Sequence, residues 1–241
     1  MNLILLEAGE VAGDGIAVLA DPRATHITVV LHATPGQTVR IGLLDGPFGI
    51  GTVTAVSGET VTLSCAFEPA APPLPGIDLL LALPRPKVLR RLWAQLAALG
   101  VHRIMLTNAE RVERNYFDTH LLEGHIYRPL LIEGLQQARD TRLPVVSVHR
   151  QLKVLVEDHL DGLCGAGLRL VADHRASLPI IDAARQRDGR LLLAVGPEGG
   201  WNDFELSLLQ SHGFTAVSMG QRTLLVDTAC IALIAAAGTS P

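Results

Sequence analysis

Two glycine-bearing bends near the end of the chain carry the residues best placed for chemistry. The first, Val195-Gly196-Pro197-Glu198-Gly199-Gly200, stops the apolar run Leu191-Leu192-Leu193-Ala194. The second, Gly220-Gln221-Arg222-Thr223-Leu224-Leu225-Val226, follows Ala216-Val217-Ser218-Met219. Glycine lets a ligand approach the main chain closely, and bare backbone N–H groups at the carboxyl end of a strand are a common ligand seat in α/β sheets. A flat ligand fits between two such bends, read by backbone groups in an apolar slot of Val195, Met219 and Leu224. Arg222 adds a cation that keeps its proton at neutral pH and suits an oxygen or a phosphate. Asp227 is the nearest carboxylate. It reads either as a general base or, standing before Thr228, as a helix N-cap.

Local pattern gives the elements that position these bends. An apolar run of strand length ending at Gly and Pro reads as a buried strand entering a turn. Asn202 and Glu205 have capping-box spacing, so a helix follows, carrying Phe204, Leu206, Leu208 and Leu209 and closed by Gly213. The helix from about Thr228 to Ala237 is apolar on every face, which predicts burial all round. Upstream, strands are expected at 77–83, 101–106, 144–148 and 168–172, with helices at 88–99, about 118–139 and 152–160. This alternation demands a mostly parallel sheet covered on both faces. Residues 1–68 differ. Their short β-branched stretches (39–44, 52–56, 60–63) alternate with turns such as Pro35-Gly36 and Asp45-Gly46-Pro47, which predicts a small β-barrel. The proline-rich stretch 68–75 separates the parts, giving expected domains at 1–70 and 71–241.

Gly196-Pro197-Glu198-Gly199-Gly200, with Met219-Gly220-Gln221-Arg222-Thr223-Leu224 and Asp227-Thr228-Ala229 downstream, resembles the C-terminal signature of the bacterial 16S rRNA uridine-N3 methyltransferases, a family of the SPOUT class. Ala82-Leu83-Pro84 with Lys87, Leu99-Gly100-Val101, the stretch 137–144 and Pro35-Gly36 extend the likeness over nearly the whole chain. The resemblance implies an α/β fold: a small PUA-like N-terminal β-barrel that positions RNA, then a SPOUT domain with a trefoil knot. It implies methylation of N3 of a uridine in 16S rRNA of the small ribosomal subunit, with S-adenosyl-L-methionine as cofactor. It also implies a cytoplasmic homodimer paired through its apolar last helix.

Carried over residue by residue, the resemblance assigns the methyl donor to Ala172, Val195, Gly196, Pro197, Glu198, Gly199, Gly200, Met219, Gly220, Arg222, Leu224 and Leu225. His174 falls on a third ligand-facing loop. Arg222 and Asp227 are the catalytic candidates, and RNA contacts fall on Arg23, His26, Arg85, Lys87, Arg139 and Arg142. The chain departs from the family pattern at His32 (usually Arg), Gln221 (usually Pro), Leu225 (usually Arg) and Asp227 (usually Glu). Two other readings stay open: a SPOUT-fold methyltransferase acting on another rRNA or tRNA nucleotide, and a non-catalytic RNA- or cofactor-binding relative whose active loop has decayed.

Charge narrows the RNA footprint. The net charge is −4 over 241 residues, unevenly spread. Residues 1–75 hold two basic residues against seven acidic, 76–150 eleven against seven, and 151–241 seven against ten. The middle block is therefore the expected phosphate-facing part. Cys65, Cys164 and Cys230 lie far apart without a C-x-x-C pair, against a zinc site or a disulfide framework and in keeping with a reducing compartment. Met1 to Leu6 is too short for a signal h-region, and the last helix is about half the length needed to span a bilayer, so neither membrane nor metal is expected. Gly165-Ala166-Gly167 precedes a strand instead of following one, which excludes a dinucleotide fingerprint, and no Walker-type loop is present.

Overall fold

The computed structural model describes residues 3–185 and 187–238, so Met1, Asn2, Gln186 and the last three residues of the second expected domain lie outside it. The chain forms two compact units, Met1–Leu74 with Ile132–Leu143, and Pro75–Leu131 with Pro144–Pro241. Residues 132–143 thus belong with the first unit although the second has already begun.

The first unit contains β1 (Ile4–Leu6), β2 (Ile16–Leu19), helical turn α1 (Pro22–Thr25), β3 (Thr38–Leu43), β4 (Phe48–Ser57) and β5 (Thr60–Phe67). Its curled sheet runs β1-β3-β4-β5-β2, with β1 parallel to β3 and the other pairs antiparallel. Alternation sorts the faces: Val39, Ile41, Val53, Val61 and Leu63 turn into one apolar core with Ile4, Leu6, Leu19 and Ile27. The opposite face of β3 carries Thr38 and Arg40, both exposed.

The second unit is a six-stranded parallel sheet, in the order β11-β9-β10-β6-β7-β8. Its strands are β6 (Ile77–Ala82), β7 (Val101–Thr107), β8 (Val145–His149), β9 (Leu168–Ala172), β10 (Leu191–Val195) and β11 (Thr215–Val217). Helix α2 (Pro86–Ala98) follows β6, and α3 (Gly124–Ala138) begins in this unit and ends in the first. Then come α4 (Leu152–Val154), α5 (Leu160–Cys164), α6 (Ile180–Ala184), α7 (Asp203–Ser211) and α8 (Val226–Gly238). Central β6 and β10 are buried along their whole length, as parallel strands sheltered on both faces must be. Asp78, the polar residue within β6, is paired with Arg190 at 2.6 Å and lies 3.2 Å from the His102 ring.

Three expectations change. The helix expected from about Asp118 starts at Gly124; before it the chain makes two 3-10 turns, Arg114–Asp118 and His120–Leu122, separated by extended Thr119. The Ala216–Met219 strand is shifted to Thr215–Val217, because Ser218 pairs with Leu178 and Ile180, leaving Met219 in the bend. The last helix is apolar but not buried all round. Only the face carrying Val226, Cys230, Leu233, Ile234 and Ala237, packed on α2, α6 and β10, is covered; Thr228 and Ala235 are exposed. Among the described residues no helix is long and apolar enough to cross a membrane, and no three His, Cys, Asp or Glu cluster as metal ligands.

Candidate functional site

The carboxyl ends of β9, β10 and β11 open into one hollow. Its walls come from Ala172, Asp173 and His174 after β9, from Val195 to Gly200 after β10, and from Val217 to Gly220 after β11. Arg222, Thr223, Leu224 and Val226 close the side, and Ala229 and Leu233 of α8 form an apolar base. The two bends singled out in the sequence therefore face a common space, although the strands that carry them are separated by β9.

The first bend is held at every step. Gly196 packs against Trp201, which is only 4% exposed; a Cβ at 196 would stand 3.1 Å from the indole. The Gly200 N–H donates to the Pro197 carbonyl at 2.8 Å, closing a tight turn, and Gly200 takes φ +73°, where glycine costs least. The Arg111 guanidinium donates to the Gly199 carbonyl, and its Cδ occupies the place a Cβ at 199 would need. Glu198 receives the Arg85 backbone N–H at 3.5 Å, with the Arg85 guanidinium 3.8 Å away.

Beneath the turn, the capping box forms as the spacing predicts. Asn202 Oδ1 accepts from the Glu205 N–H, and Glu205 Oε2 from the Asn202 N–H, both at 2.8 Å. The second Glu205 oxygen accepts the Glu110 N–H at 2.7 Å, so one carboxylate, 5% exposed, ties the segment after β7 to the start of α7. Asp173 sits on the neighbouring wall. Burial pushes its carboxyl up, but hydrogen bonds from the backbone and side chain of Arg175 outweigh this and hold it below the usual range. Arg175 also reaches Asp203 at 3.1 Å, linking the loop after β9 to the first turn of α7.

The second bend is open. Gly220 takes φ +102° with free space where a side chain would project. Arg222 and Thr223 are exposed, and Arg222 makes no ion pair or hydrogen bond among the described residues. Leu225 is 71% exposed and is not part of the hollow's lining. Its carbonyl accepts the Ala229 N–H at 2.8 Å, so Leu225 is the N-cap of α8.

Of the expected donor set, all but Leu225 line the hollow. Asp227 corrects the N-cap reading made of it. It lies inside the first turn of α8 instead of capping it, and it is paired with Arg91 at 2.5 Å, outside the lining. Arg222 does face the hollow. Among the RNA candidates, Arg85 and Lys87 are exposed at the start of α2. Arg23 is fully engaged with Glu10, Asp21 and the Leu5 carbonyl, and its hydrogen bonds hold its two carboxylate partners below their ordinary range. Arg142 donates to the Pro72 carbonyl at 2.7 Å and the Asp45 carbonyl at 2.9 Å. Both arginines thus hold the first unit together. His26 opens a helical turn after α1, half-buried, and Arg139 is exposed. Sequence reading missed Arg111 and Trp201 as supports, the bond from the Glu110 amide to Glu205, and Asp173 and Ala229 as lining. Only Trp201, directly after the motif, gave a local cue.

A parallel α/β sheet with two backbone bends over an apolar base defines the class, an RNA methyltransferase: the family model described as RNA methyltransferase domain matches residues 72–238. A Treponema pallidum protein named ribosomal RNA small subunit methyltransferase E is 33% identical over 98% of this chain and 90% of its own length. A Mycobacterium tuberculosis protein of the same name is 24% identical over 92% of this chain and 86% of its own. The fold is shared with a Legionella pneumophila methyltransferase solved with bound S-adenosylmethionine (TM-score 0.77, 23% identity, 99% and 98% of the two chains). It is shared equally with the Neisseria gonorrhoeae ribosomal RNA small subunit methyltransferase E bound to the same molecule (TM-score 0.77, 22% identity, 99% and 97%). The chain belongs to the ribosomal RNA small subunit methyltransferase E family.

Proposed function

We propose that this chain transfers a methyl group from S-adenosyl-L-methionine to N3 of a specific uridine in 16S rRNA of the small ribosomal subunit. The observation that carries this reading is the convergence of both bends on one hollow in a chain of this family. The residues fit the cofactor. Val195, Met219, Leu224, Ala229 and Leu233 offer apolar walls, glycines at 196, 199, 200 and 220 bare the main chain, and the Asp173 and Glu198 carboxylates suit a cationic ligand. When bound, S-adenosylmethionine supplies an electrophilic methyl on a sulfonium.

The chain's part in the reaction is placement and exclusion of water. Held by these residues, the donor would supply its methyl to N3 and leave as a neutral thioether, the imide proton having passed to solvent water. A dry slot that fixes both partners favours that charge-cancelling step. Arg222 holds a uracil oxygen or a phosphate, since a guanidinium cannot serve as the base. Asp227, already paired with Arg91, acts through the placement of α8.

The first unit is assigned as the PUA-like barrel that positions rRNA, with His26 and Arg139 on that unit and Arg85 and Lys87 on the second as contacts. The second unit is assigned as the SPOUT domain, its 219–226 segment forming part of a trefoil knot. The chain is assigned as a cytoplasmic homodimer. The uncovered side of α8, together with Met219 at 41% exposure and Leu225 at 71%, supplies an apolar surface for a second copy. A monomeric mass by sedimentation at micromolar concentration contradicts the dimer. The activity is tested on rRNA from a strain lacking the gene: one block to reverse transcription at a uridine disappears and returns on addition of protein and cofactor. An unchanged profile overturns the assignment.

A further inference from the structure

We infer that the outer face of the β3–β4 hairpin carries a separate RNA subsite, a hollow for one unpaired nucleotide whose base bears an exocyclic amino group. This rests on the RNA-methyltransferase reading but lies on the other unit from the donor hollow. Cation bookkeeping in the first unit points to it. Of its four arginines, Arg23 is consumed by Glu10 and Asp21, and Arg142 by backbone carbonyls. The remaining two, Arg40 and Arg139, make no side-chain hydrogen bond or ion pair among the described residues, and both line the same cavity of about 430 Å³. That volume falls within the roughly 300–1,000 Å³ of small-ligand sites.

The cavity is built by the register of the hairpin. Arg40 stands directly opposite Ile50, and Gly42 opposite Phe48. Gly42 is required: a Cβ there would lie 2.6 Å from the Thr141 methyl. Thr141 is fully buried and donates to the Gly46 carbonyl at 2.7 Å, while the Asp45 N–H donates to the Thr141 carbonyl at 2.8 Å. These bonds lay residues 139–143 across the hairpin and bring Arg139 to the rim. The Glu68 N–H donates to the Phe48 carbonyl at 2.8 Å, which sets the Glu68 carboxylate on the same rim, paired with neither arginine.

Arg139 occupies a position unsuited to it. The Asp140 N–H donates to the Leu135 carbonyl at 3.0 Å, a Schellman closure, and places Arg139 at φ +60° where glycine is favoured. A guanidinium retained there, beside Arg40, suits a phosphate and a base plane. Phe48 and the exposed Ile50 provide the apolar contact for a base. The Glu68 carboxylate only accepts, so it favours adenine, cytosine or guanine, whose amino groups donate, over uracil.

Fluorescence anisotropy of the full chain with labelled single-stranded A8, C8 and U8, over a salt series, tests this. Wild type binds A8 or C8 about tenfold tighter than U8, and Glu68→Ala removes that preference. Arg40→Ala and Arg139→Gly each weaken binding of the preferred oligonucleotide about tenfold and lower the salt slope by about 0.7. Arg139→Gly also raises the melting temperature, so its weaker binding is not a folding defect. Calorimetric affinity for S-adenosylmethionine is unchanged in all three variants. Wild-type affinity and slope in Arg40→Ala and Arg139→Gly, or equal binding of all three oligonucleotides, overturns the subsite while leaving the methyltransferase assignment in place. A wild-type protein that binds no S-adenosylmethionine overturns that assignment instead, and the oligonucleotide results still decide the subsite.

Discussion

The two bends that face the donor hollow are built in opposite ways. The 196–200 turn is braced by Trp201, by Arg111, by Arg85 and by its own Pro197–Gly200 hydrogen bond, over a capped helix whose Glu205 also binds the Glu110 amide. The 220–225 bend has a left-handed glycine, an arginine without a partner among the described residues, and an exposed leucine. The contrast teaches a division of labour: one wall is preset before ligand arrives, and the other is free to settle on it. Presetting one wall lowers the ordering cost of binding, and a loose second wall lets donor and product exchange.

Breaking the braced side has the largest expected effect. Glu205→Ala strips the acceptor from the Asn202 and Glu110 amides in a buried setting, and costs about 3–5 kcal/mol of stability. Denaturant midpoints measure this. An unchanged midpoint means the turn is not held from below. Gly196→Ala pushes a methyl into the Trp201 ring and weakens donor binding about 10- to 100-fold by calorimetry, with about 1–3 kcal/mol of lost stability.

On the open side, Gly220→Ala meets no atom, so its whole effect is the backbone cost of φ +102°, about 1–2 kcal/mol. Because that loop is the less braced wall, the cost falls on donor affinity, about tenfold, with the melting temperature little changed. Arg222→Ala lowers kcat about tenfold or more while leaving donor affinity near wild type, read by single-turnover methyl transfer. A mirror-image loss of donor affinity moves Arg222 to the cofactor.

The smallest effect is electrostatic. Asp173 has its carboxyl depressed by Arg175, so the pairing stabilises fully above the ordinary carboxylate range near pH 4 and is lost as pH falls through the depressed value. Arg175→Ala removes that acid-limb loss. Because Arg175 is exposed to solvent, which screens the pair, the change near neutral pH is small.

What could be read from sequence was what local chemistry decides. β9 and β10 match their expected limits because apolar runs bounded by turn residues admit no other assignment, and the Asn202–Glu205 box is complete within four residues. The helix expected from Asp118 failed because helical composition does not distinguish an α-helix from two short 3-10 turns. The five-residue α6 is too short to show a period. At the site, the motif was legible but its braces were not. Arg111 reaches Gly199 across 88 residues, Glu205 reaches Glu110 across 95, and Arg91 takes Asp227 across 136. Asp227 looked like a cap because an Asp before Thr has that chemistry, yet the helix had already begun at Val226. The phosphate-facing charge block was likewise only partly informative, since Arg142 within it spends its donors on carbonyls.

Backbone amide exchange with and without S-adenosylmethionine tests the central claim most directly. Strong new protection is expected across residues 219–225, with only slight change at 196–200, whose turn is already closed. Protection confined to other parts of the chain, or no change in either bend at saturating cofactor, contradicts the claim.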